Sequence, residues 1–479
     1  MKLKLYEKLF HELERAIKDG VLRAGERLPS IRETCRARQL SVTTVTRAYL
    51  QLESQGLVDS RPQSGYFVRA RQAEPASEPL LPSTPPGTST DVDVSQLVLS
   101  TLKSIRSRRA VPLGSPYPDP SLFPWLRVHQ QIGGIAKRLR DERSVLDDLP
   151  PGNPELIRQI ARRHLESGLA ADPGEVIVTA GATEAINLCL QAVARPGEII
   201  AVESPTYYAM LHAIERMGMR AVEIATDPHE GIDLGALARA IERQSVAACM
   251  VMPNFQNPLG FMMSDEKKRE LVALCTRHGL PLIENGVYNE LYYGEAPPST
   301  LKSFDTQGLV LHCNSFSKSL TAGVRIGWAL PGRYRQEVER LKFLNTLSTP
   351  TLPQLGVAEY LKNDGFEHHL RRVRQTLAQQ ADIMRSMVRR FFPEHTRLSR
   401  PQGGYVLWVE LAPQVDTMAL YREALERGLT IGPGRMFSTS NAYGHFMRLN
   451  FSYAWSPEIE AGVIELGRMA AAMSGRNAP

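Results

Sequence analysis

The chain lacks any apolar run approaching the roughly 20 residues that a membrane-spanning helix needs, so no membrane partner is expected. It is poor in cysteine: Cys35, Cys189, Cys249, Cys275 and Cys313 are odd in number and widely scattered. Neither a disulfide framework nor the spacing of a metal site appears, so no metal and a reducing cytoplasm are expected. No secretory leader is expected either. The opening MKLKLYEKLFHELERAI distributes charges among its apolar residues and reads as an amphipathic helix. No internal repeat is evident. What remains is ordinary soluble composition, 43% hydrophobic and 23% charged, over 479 residues. That is too long for one core, so two or more domains are expected.

Charge is absent from most of the chain as a net quantity. Residues 1–71 carry 14 Lys and Arg against 8 Asp and Glu, and this +6 equals the net charge of the whole chain. The remaining residues balance. A basic end on a neutral body suits a polyanion partner, although a basic terminal helix is also stable simply solvated.

Aromatic residues are missing between Val68 and Pro116. Within that gap QAEPASEPLLPSTPPGTSTD holds many prolines and small polar residues, too little apolar surface to fold alone. A flexible linker is therefore expected over 72–108, with a short helix around SQLVLSTLKSIRSRR, between a head over 1–71 and a body over 109–479.

The head shows one helix over 5–20, a second opened by Pro29 and Ser30 in SIRETCRARQ, and a third in SVTTVTRAYLQLESQG. Ser30 suits the N-cap of the second. In the third, Val45, Ala48, Tyr49 and Leu52 share one face, and Ser41, Thr44 and Arg47 another. LVDSRPQSGYFVRA then reads as two short strands about a polar turn. Three helices and a hairpin make a winged helix-turn-helix, mostly α with a small β wing, whose third helix enters the major groove.

The body alternates strand and helix patterns. EVIVTA precedes the helical TEAINLCLQAVA, EIIAVES precedes YYAMLHAIERMG, and AACMVMPN, PLIEN, LVLHCNSF and RIGWAL are further strands. Such alternation implies an α/β fold with a largely parallel sheet, the large domain spanning about 130–345. GGYVLWVEL and MRLNFSYA, separated by helical segments, mark a smaller C-terminal α+β subdomain.

Within SFSKSLTAGVRIGWAL, Lys318 follows a buried-strand pattern and is flanked by Ser315, Ser317 and Ser319, with Gly323 and Arg325 beyond. An amine at a strand end can form an imine with an aldehyde cofactor, and hydroxyls with an Arg suit a phosphate. A solvated Lys in a Ser-rich loop has the same local pattern. Other strand ends offer Ala182 and Thr183 in TAGATEA, Tyr207 in ESPTYY, Asn257 in PNFQNPLG, Tyr288 in ENGVYNEL, and Arg448 in MRLNFS.

The head resembles the GntR-family DNA-binding domain through GVLRAGERLPSIRE, TTVTRAY and SGYFV. That resemblance implies a double-stranded DNA operator met by Arg32, Ser41, Thr43, Thr44 and Arg47, with Gly65 letting the wing approach. Capping and surface ion pairing are the other uses open to these side chains. Relatives often carry Arg or another polar residue where Val42 stands, so base preference there should differ.

The body motifs, in their order and spacing, resemble the fold-type I aminotransferases, which use pyridoxal 5′-phosphate (PLP). The resemblance implies that Lys318 forms the Schiff base, and that Ser315, Ser317, Arg325, Ala182 and Thr183 hold the phosphate. It further implies that Asn257 and Tyr288 meet the ring hydroxyl oxygen, that Tyr207 stacks on the ring, and that Arg448 binds a ligand carboxylate. Together the two halves resemble the MocR-type subfamily of GntR regulators, as do LPPGNPELIRQIARRH, IGPGRMFS and YPDPSLFPW.

Two departures matter. The position that should pair with the pyridine nitrogen is Asn285, not Asp, and neighbouring Glu284 should face the other way on its strand. An amide cannot pair electrostatically with a pyridinium, so rapid carbanion chemistry is not expected. In LDDLPPG no tyrosine is present to reach a partner subunit's phosphate. The expectation is a cytoplasmic, homodimeric, DNA-binding transcription regulator that senses an amino acid, an amine or PLP itself. A working aminotransferase with an appended DNA-binding domain is the alternative.

Overall fold

The computed structural model describes residues 4–18, 21–22, 26–54, 57–61, 65–68, 80–105, 110–139, 148–362 and 365–476. It divides into two compact units, residues 1–76 and 77–479.

The first unit contains helices α1 (Leu5–Lys18), α2 (Ile31–Arg38) and α3 (Val42–Ser54) and strands β1 (Val58–Arg61) and β2 (Gly65–Val68). Helix α2 starts where Ser30 and Glu33 exchange side-chain-to-backbone bonds, a reciprocal cap that satisfies donors otherwise orphaned at a helix start. The face of α3 that carries Val45, Ala48, Tyr49 and Leu52 is buried against Leu9, Phe10, Leu28, Val58 and Val68. Tyr49 Oη ties α3 to α2, meeting Thr34 Oγ1 at 2.7 Å and donating to the Pro29 carbonyl at 2.8 Å. The two-stranded wing is extended on one side by backbone bonds from Leu28 to Tyr66 and from Val68 to Glu26, each 2.8 Å.

In the second unit the strands are β3 (Thr90–Asp91), β4 (Ile177–Thr179), β5 (Ile199–Ser204), β6 (Arg220–Asp227), β7 (Gly231–Ile232), β8 (Val246–Val251), β9 (Leu282–Asn285), β10 (Val310–Ser315) and β11 (Gly327–Leu330). Along the sheet they run β3-β6-β5-β8-β9-β10-β11-β4, with β7 beside β6. The pairings from β6 to β10 are parallel, while β11 runs antiparallel to both β10 and β4. The near-continuous apolar runs Ile200–Val202 and Cys249–Val251 follow from burial on both faces. A second sheet, β12 (Arg397–Leu398), β13 (Val406–Glu410), β14 (Gly432–Pro433) and β15 (Phe446–Asn450), is antiparallel and forms the small subdomain.

The linker expectation needs correcting. Residues 80–105 belong to the body: Leu80, Val92, Val94 and Val98 are buried in its main core, and β3 pairs with β6. Helix α4 (Ser95–Ile105) is anchored by Glu215, which accepts from the backbone N–H of Val94 and Ser95 at 3.0 Å. Prolines and small residues signal little burial, but three valines at short spacing suffice once another sheet supplies the surface. The large domain therefore begins well before residue 130. Residues 69–79 and 106–109 lie outside the described residues.

Candidate functional site

The body's site collects at the carboxyl ends of the parallel strands, where open α/β sheets expose loop backbone and helix starts. Lys318 stands in the turn after β10. Its Nζ donates to the Pro116 carbonyl at 2.9 Å, lies 5.2 Å from the centre of the Tyr117 ring and 5.9 Å from that of Tyr405. Burial, with Arg448 and Arg325 nearby, lowers its pKa from the usual lysine value to about 7.

A cradle for an anion lies beside it. The helix over Ala182–Val193 begins at Gly181 without a side-chain cap, leaving its first N–H groups available. Arg325 donates from Nη1 to Ser317 Oγ at 3.3 Å and from Nη2 to the Ala180 carbonyl at 2.9 Å. Gly181 sits at φ +87°, and a Cβ there would lie 2.4 Å from Arg325 Nη2, so only glycine permits this approach. Arg325 itself has φ +54°, a cost that a non-glycine residue bears here to turn its guanidinium toward the helix start. Ser315 and Ser317 are buried in the same turn, and Thr183 is exposed at the helix start.

Above the strand ends, Asn257 Nδ2 donates to Tyr288 Oη at 3.4 Å while Asn257 Oδ1 is buried without a partner. Tyr288 packs edge-on against Tyr405 at 5.2 Å. Tyr207 precedes the helix over Tyr208–Arg216 and lies 4.6 Å, ring centre to ring centre, from Tyr208. Burial raises the phenol pKa values of Tyr207, Tyr288 and Tyr405, keeping all three neutral donors. Asn285 is buried with Nδ2 unpartnered. Glu284 does face the other way, where it meets His312 Nδ1 at 2.9 Å.

Arg448 on β15 is fully buried. Its Nη2 donates to the Gly114 carbonyl at 2.8 Å, whereas Nε and Nη1 have no partner. Among the described residues no carboxylate is bonded to Lys318, Arg325 or Arg448. A buried guanidinium without a counter-ion is costly unless a ligand supplies one.

The structure thus brings together Lys318, Arg325, Ser315, Ser317, Ala182 and Thr183, and sets Asn257, Tyr288, Tyr207, Asn285 and Arg448 about the same strand ends. Sequence reasoning missed Tyr405 and the segment Gly114–Tyr117, whose carbonyls receive Lys318, Tyr405 and Arg448. Tyr405 lies inside GGYVLW and Tyr117 inside YPDPSLFPW, but no local pattern says that they meet. The residues fit PLP on the grounds of the structure itself. The cradle admits no Cβ at Gly181, Asn257 Oδ1 and Asn285 Nδ2 are orphaned and buried, and a poised amine stands among them.

In the head, Arg32, Ser41, Thr43 and Arg47 are exposed and Thr44 is half-buried. Ser41 Oγ accepts from the Thr44 N–H at 3.2 Å and so caps α3, and it also meets Thr44 Oγ1 at 2.8 Å. The Arg47 guanidinium lies 4.3 Å over the Tyr6 ring. Gly65 has φ +99°, and its bare surface packs on Arg27, a neighbour that sequence reasoning did not single out.

Comparison with known proteins finds two family models: "Aminotransferase class I and II" over residues 135–459 and "Bacterial regulatory proteins, gntR family" over residues 5–68. An uncharacterized HTH-type transcriptional regulator of Escherichia coli (strain K12), YdcR, is 39% identical across 98% of this chain and 99% of its own. A second from that organism, YjiR, is 35% identical across 96% and 98%. Among solved structures, a multiple substrate aminotransferase from Thermococcus profundus superposes with a TM-score of 0.74 at 25% identity, over 80% of this chain and 96% of its own. LysN, an alpha-aminoadipate aminotransferase from Thermus thermophilus, complexed with N-(5′-phosphopyridoxyl)-L-leucine, gives 0.72 at 27% identity, over 79% and 97%.

Proposed function

Since the chain belongs to the HTH-type transcriptional regulators that join a gntR-family head to a class I and II aminotransferase body, we propose that it is a cytoplasmic DNA-binding regulator whose body holds PLP and responds to an amino acid or amine. The observation that carries this reading is the pairing, in one chain, of a helix with an exposed polar face and a site whose amine, Lys318, and guanidinium groups, Arg325 and Arg448, have no carboxylate partner among the described residues.

When bound, PLP supplies an aldehyde and an electron-withdrawing ring. Arg325, Ser315, Ser317 and the helix start at Ala182 and Thr183 would hold its phosphate. Lys318 presents a largely neutral amine above about pH 7. Asn257 and Tyr288 would orient the ring, Tyr207 would cover one face, and Asn285 would stand where a carboxylate is expected. Arg448, whose Nε and Nη1 are unpartnered, would take the carboxylate of the effector through a charge-assisted bond. In the head, Arg32, Ser41, Thr43, Thr44 and Arg47 would meet DNA, and Gly65 would let the wing approach the backbone.

A homodimer is the assembly that the surface favours. Trp125, Leu126, Phe343, Leu344, Leu347 and Leu352 are exposed on the helices over Trp125–Arg138, Arg335–Thr346 and Thr351–Leu361 and the turn between the last two. Exposed apolar side chains on these helices suit a second copy, which would supply paired heads for paired half-sites. Effector binding would then shift the body between states and re-space the heads.

Purified protein should show a visible absorption band with PLP that Lys318→Ala abolishes; a wild type without the band would refute the cofactor assignment. A mobility shift on DNA upstream of the protein's own gene, with and without PLP, tests the regulator. Intact Lys318 and Arg448 also favour a second reading, a working aminotransferase, which requires transamination at ordinary enzyme rates.

A further inference from the structure

The side-chain amide of Asn285 is oriented by the protein before any ligand arrives. In β9 successive side chains face opposite sides. Glu284 is engaged on one side by His312 and by the backbone N–H groups of Leu301 at 3.0 Å and Lys302 at 3.2 Å. Asn285 faces the other. It is in register with Cys313 of β10, and in-register neighbours share a face. Cys313 Sγ lies 3.6 Å from Cys189 Sγ, in the helix whose first residues form the anion cradle. Asn285 therefore stands on the cradle's side of the sheet.

Its two amide ends are not equivalent. The Val287 N–H points at Asn285 Oδ1 at 3.4 Å. Exchanging the ends would set one N–H against another, so the oxygen stays with the backbone and the nitrogen faces away from it. That nitrogen is buried and unpartnered. A buried N–H with no partner is a cost that an acceptor would relieve.

Resting on the assignment of PLP to this site, we infer that Asn285 donates its Nδ2–H to the lone pair of the cofactor's ring nitrogen and so holds that nitrogen unprotonated. A protonated ring nitrogen would present N–H to N–H, with no carboxylate among the described residues shown to compensate. Asn285 is then a positioning residue that secures the ring while withholding the charge that makes it an electron sink. This is the arrangement of a ligand-holding site and a poor one for carbanion chemistry.

The test uses full-length protein loaded with PLP labelled at its ring nitrogen, read by NMR. The wild-type resonance is expected at the unprotonated position and unmoved between alkaline and neutral pH, while Asn285→Asp moves it to the protonated position. Asn285→Leu, which keeps the volume and loses the donor, should hold PLP about tenfold less tightly. A protonated resonance in the wild type overturns this inference and leaves PLP binding standing. Unchanged affinity in Asn285→Leu overturns the hydrogen bond. No bound label at all overturns the cofactor assignment and this inference with it.

Discussion

Lys318 Nζ and the carbonyl oxygen of Pro116 are 2.9 Å apart, and Tyr405 Oη reaches the same oxygen at 2.9 Å. Among the described residues, a neutral carbonyl is thus the oxygen bonded to an amine that also feels Arg448 and Arg325. The result is an amine whose pKa falls to about 7, burial contributing most and the two cations the rest.

The sign of the resulting pH dependence is fixed. The unfolded chain binds the Lys318 proton up to about pH 10.4, whereas the folded chain releases it near 7. Stability from this group is therefore fully present above about pH 10.4 and lost progressively as pH falls from there to about 7, where the loss is complete. Denaturant titrations of the cofactor-free protein should show it, and Lys318→Met should flatten that part of the profile. The rate at which the PLP band develops should rise with pH through about 7, as more of the amine becomes neutral.

Glu203 shows the opposite slope. It is fully buried on β5, accepts from the Met252 N–H at 2.9 Å, and has Oε1 without a partner. Burial raises its pKa to about 8. Folded protein therefore keeps a proton that the unfolded chain releases near 4.3. Its contribution is intact below that value and lost as pH rises toward 8. Glu203→Gln preserves the acceptor for Met252 and removes the ionisation. The variant should match wild type only below about pH 4 and have a higher melting temperature as pH rises toward about 8. Equal melting temperatures there would show that Glu203 ionises without penalty.

Arg448 should separate binding from stability. Removing its charge frees the Gly114 carbonyl and ends the contact with the Phe437 ring, 5.5 Å away, but strands no carboxylate among the described residues. Arg448→Met should thus leave the ligand-free protein as stable as wild type or more so, because a buried uncompensated charge is lost. Its response to amino acids, read as a change in the PLP spectrum, should weaken by about tenfold or more, the scale of a charge-assisted pair. Arg448→Lys should restore little of it, since a compact ammonium on a shorter, flexible stem cannot reproduce the directed N–H donors of a guanidinium. Amines without a carboxylate should be unaffected, and an effect on them equal to that on amino acids would remove Arg448 from carboxylate recognition.

How much of this was legible in the sequence depended on locality. Lys318, Asn257 and Tyr288 each end a strand pattern and sit beside turn residues, so periodicity and punctuation locate them without a structure, whereas Asn285 is singled out by the family resemblance, three residues before Tyr288. The face of Glu284 followed from strand alternation alone. The meeting of Tyr405 with Pro116 joins residues 289 positions apart, and nothing local encodes it. The packing of Val92 and Val94 was hidden for a different reason. Composition measures how much a segment can bury by itself, not what a neighbouring sheet can bury for it. The arginine behind Gly65 escaped likewise, since a glycine signals close approach but not what approaches.

Arg47 offers the clearest test of the head because its two roles predict different outcomes. It lies on the exposed side of α3, while Val45, Ala48, Tyr49 and Leu52 fill the core on the other. Its guanidinium also lies over the Tyr6 ring at 4.3 Å, an exposed cation–π contact and so a weak one. Arg47→Ala should therefore lower the head's melting temperature only slightly. If Arg47 meets a phosphate, the same variant should weaken binding to all DNA sequences alike and reduce the slope of log affinity against log salt by about 1. If it meets a base edge, discrimination between operator and unrelated DNA should fall while the salt slope changes less. Tyr6→Leu isolates the contact with the ring, since it removes the stacking and keeps the charge. Should Tyr6→Leu reproduce the full loss of DNA affinity seen in Arg47→Ala, Arg47 acts by holding α1 against α3 and not by touching DNA.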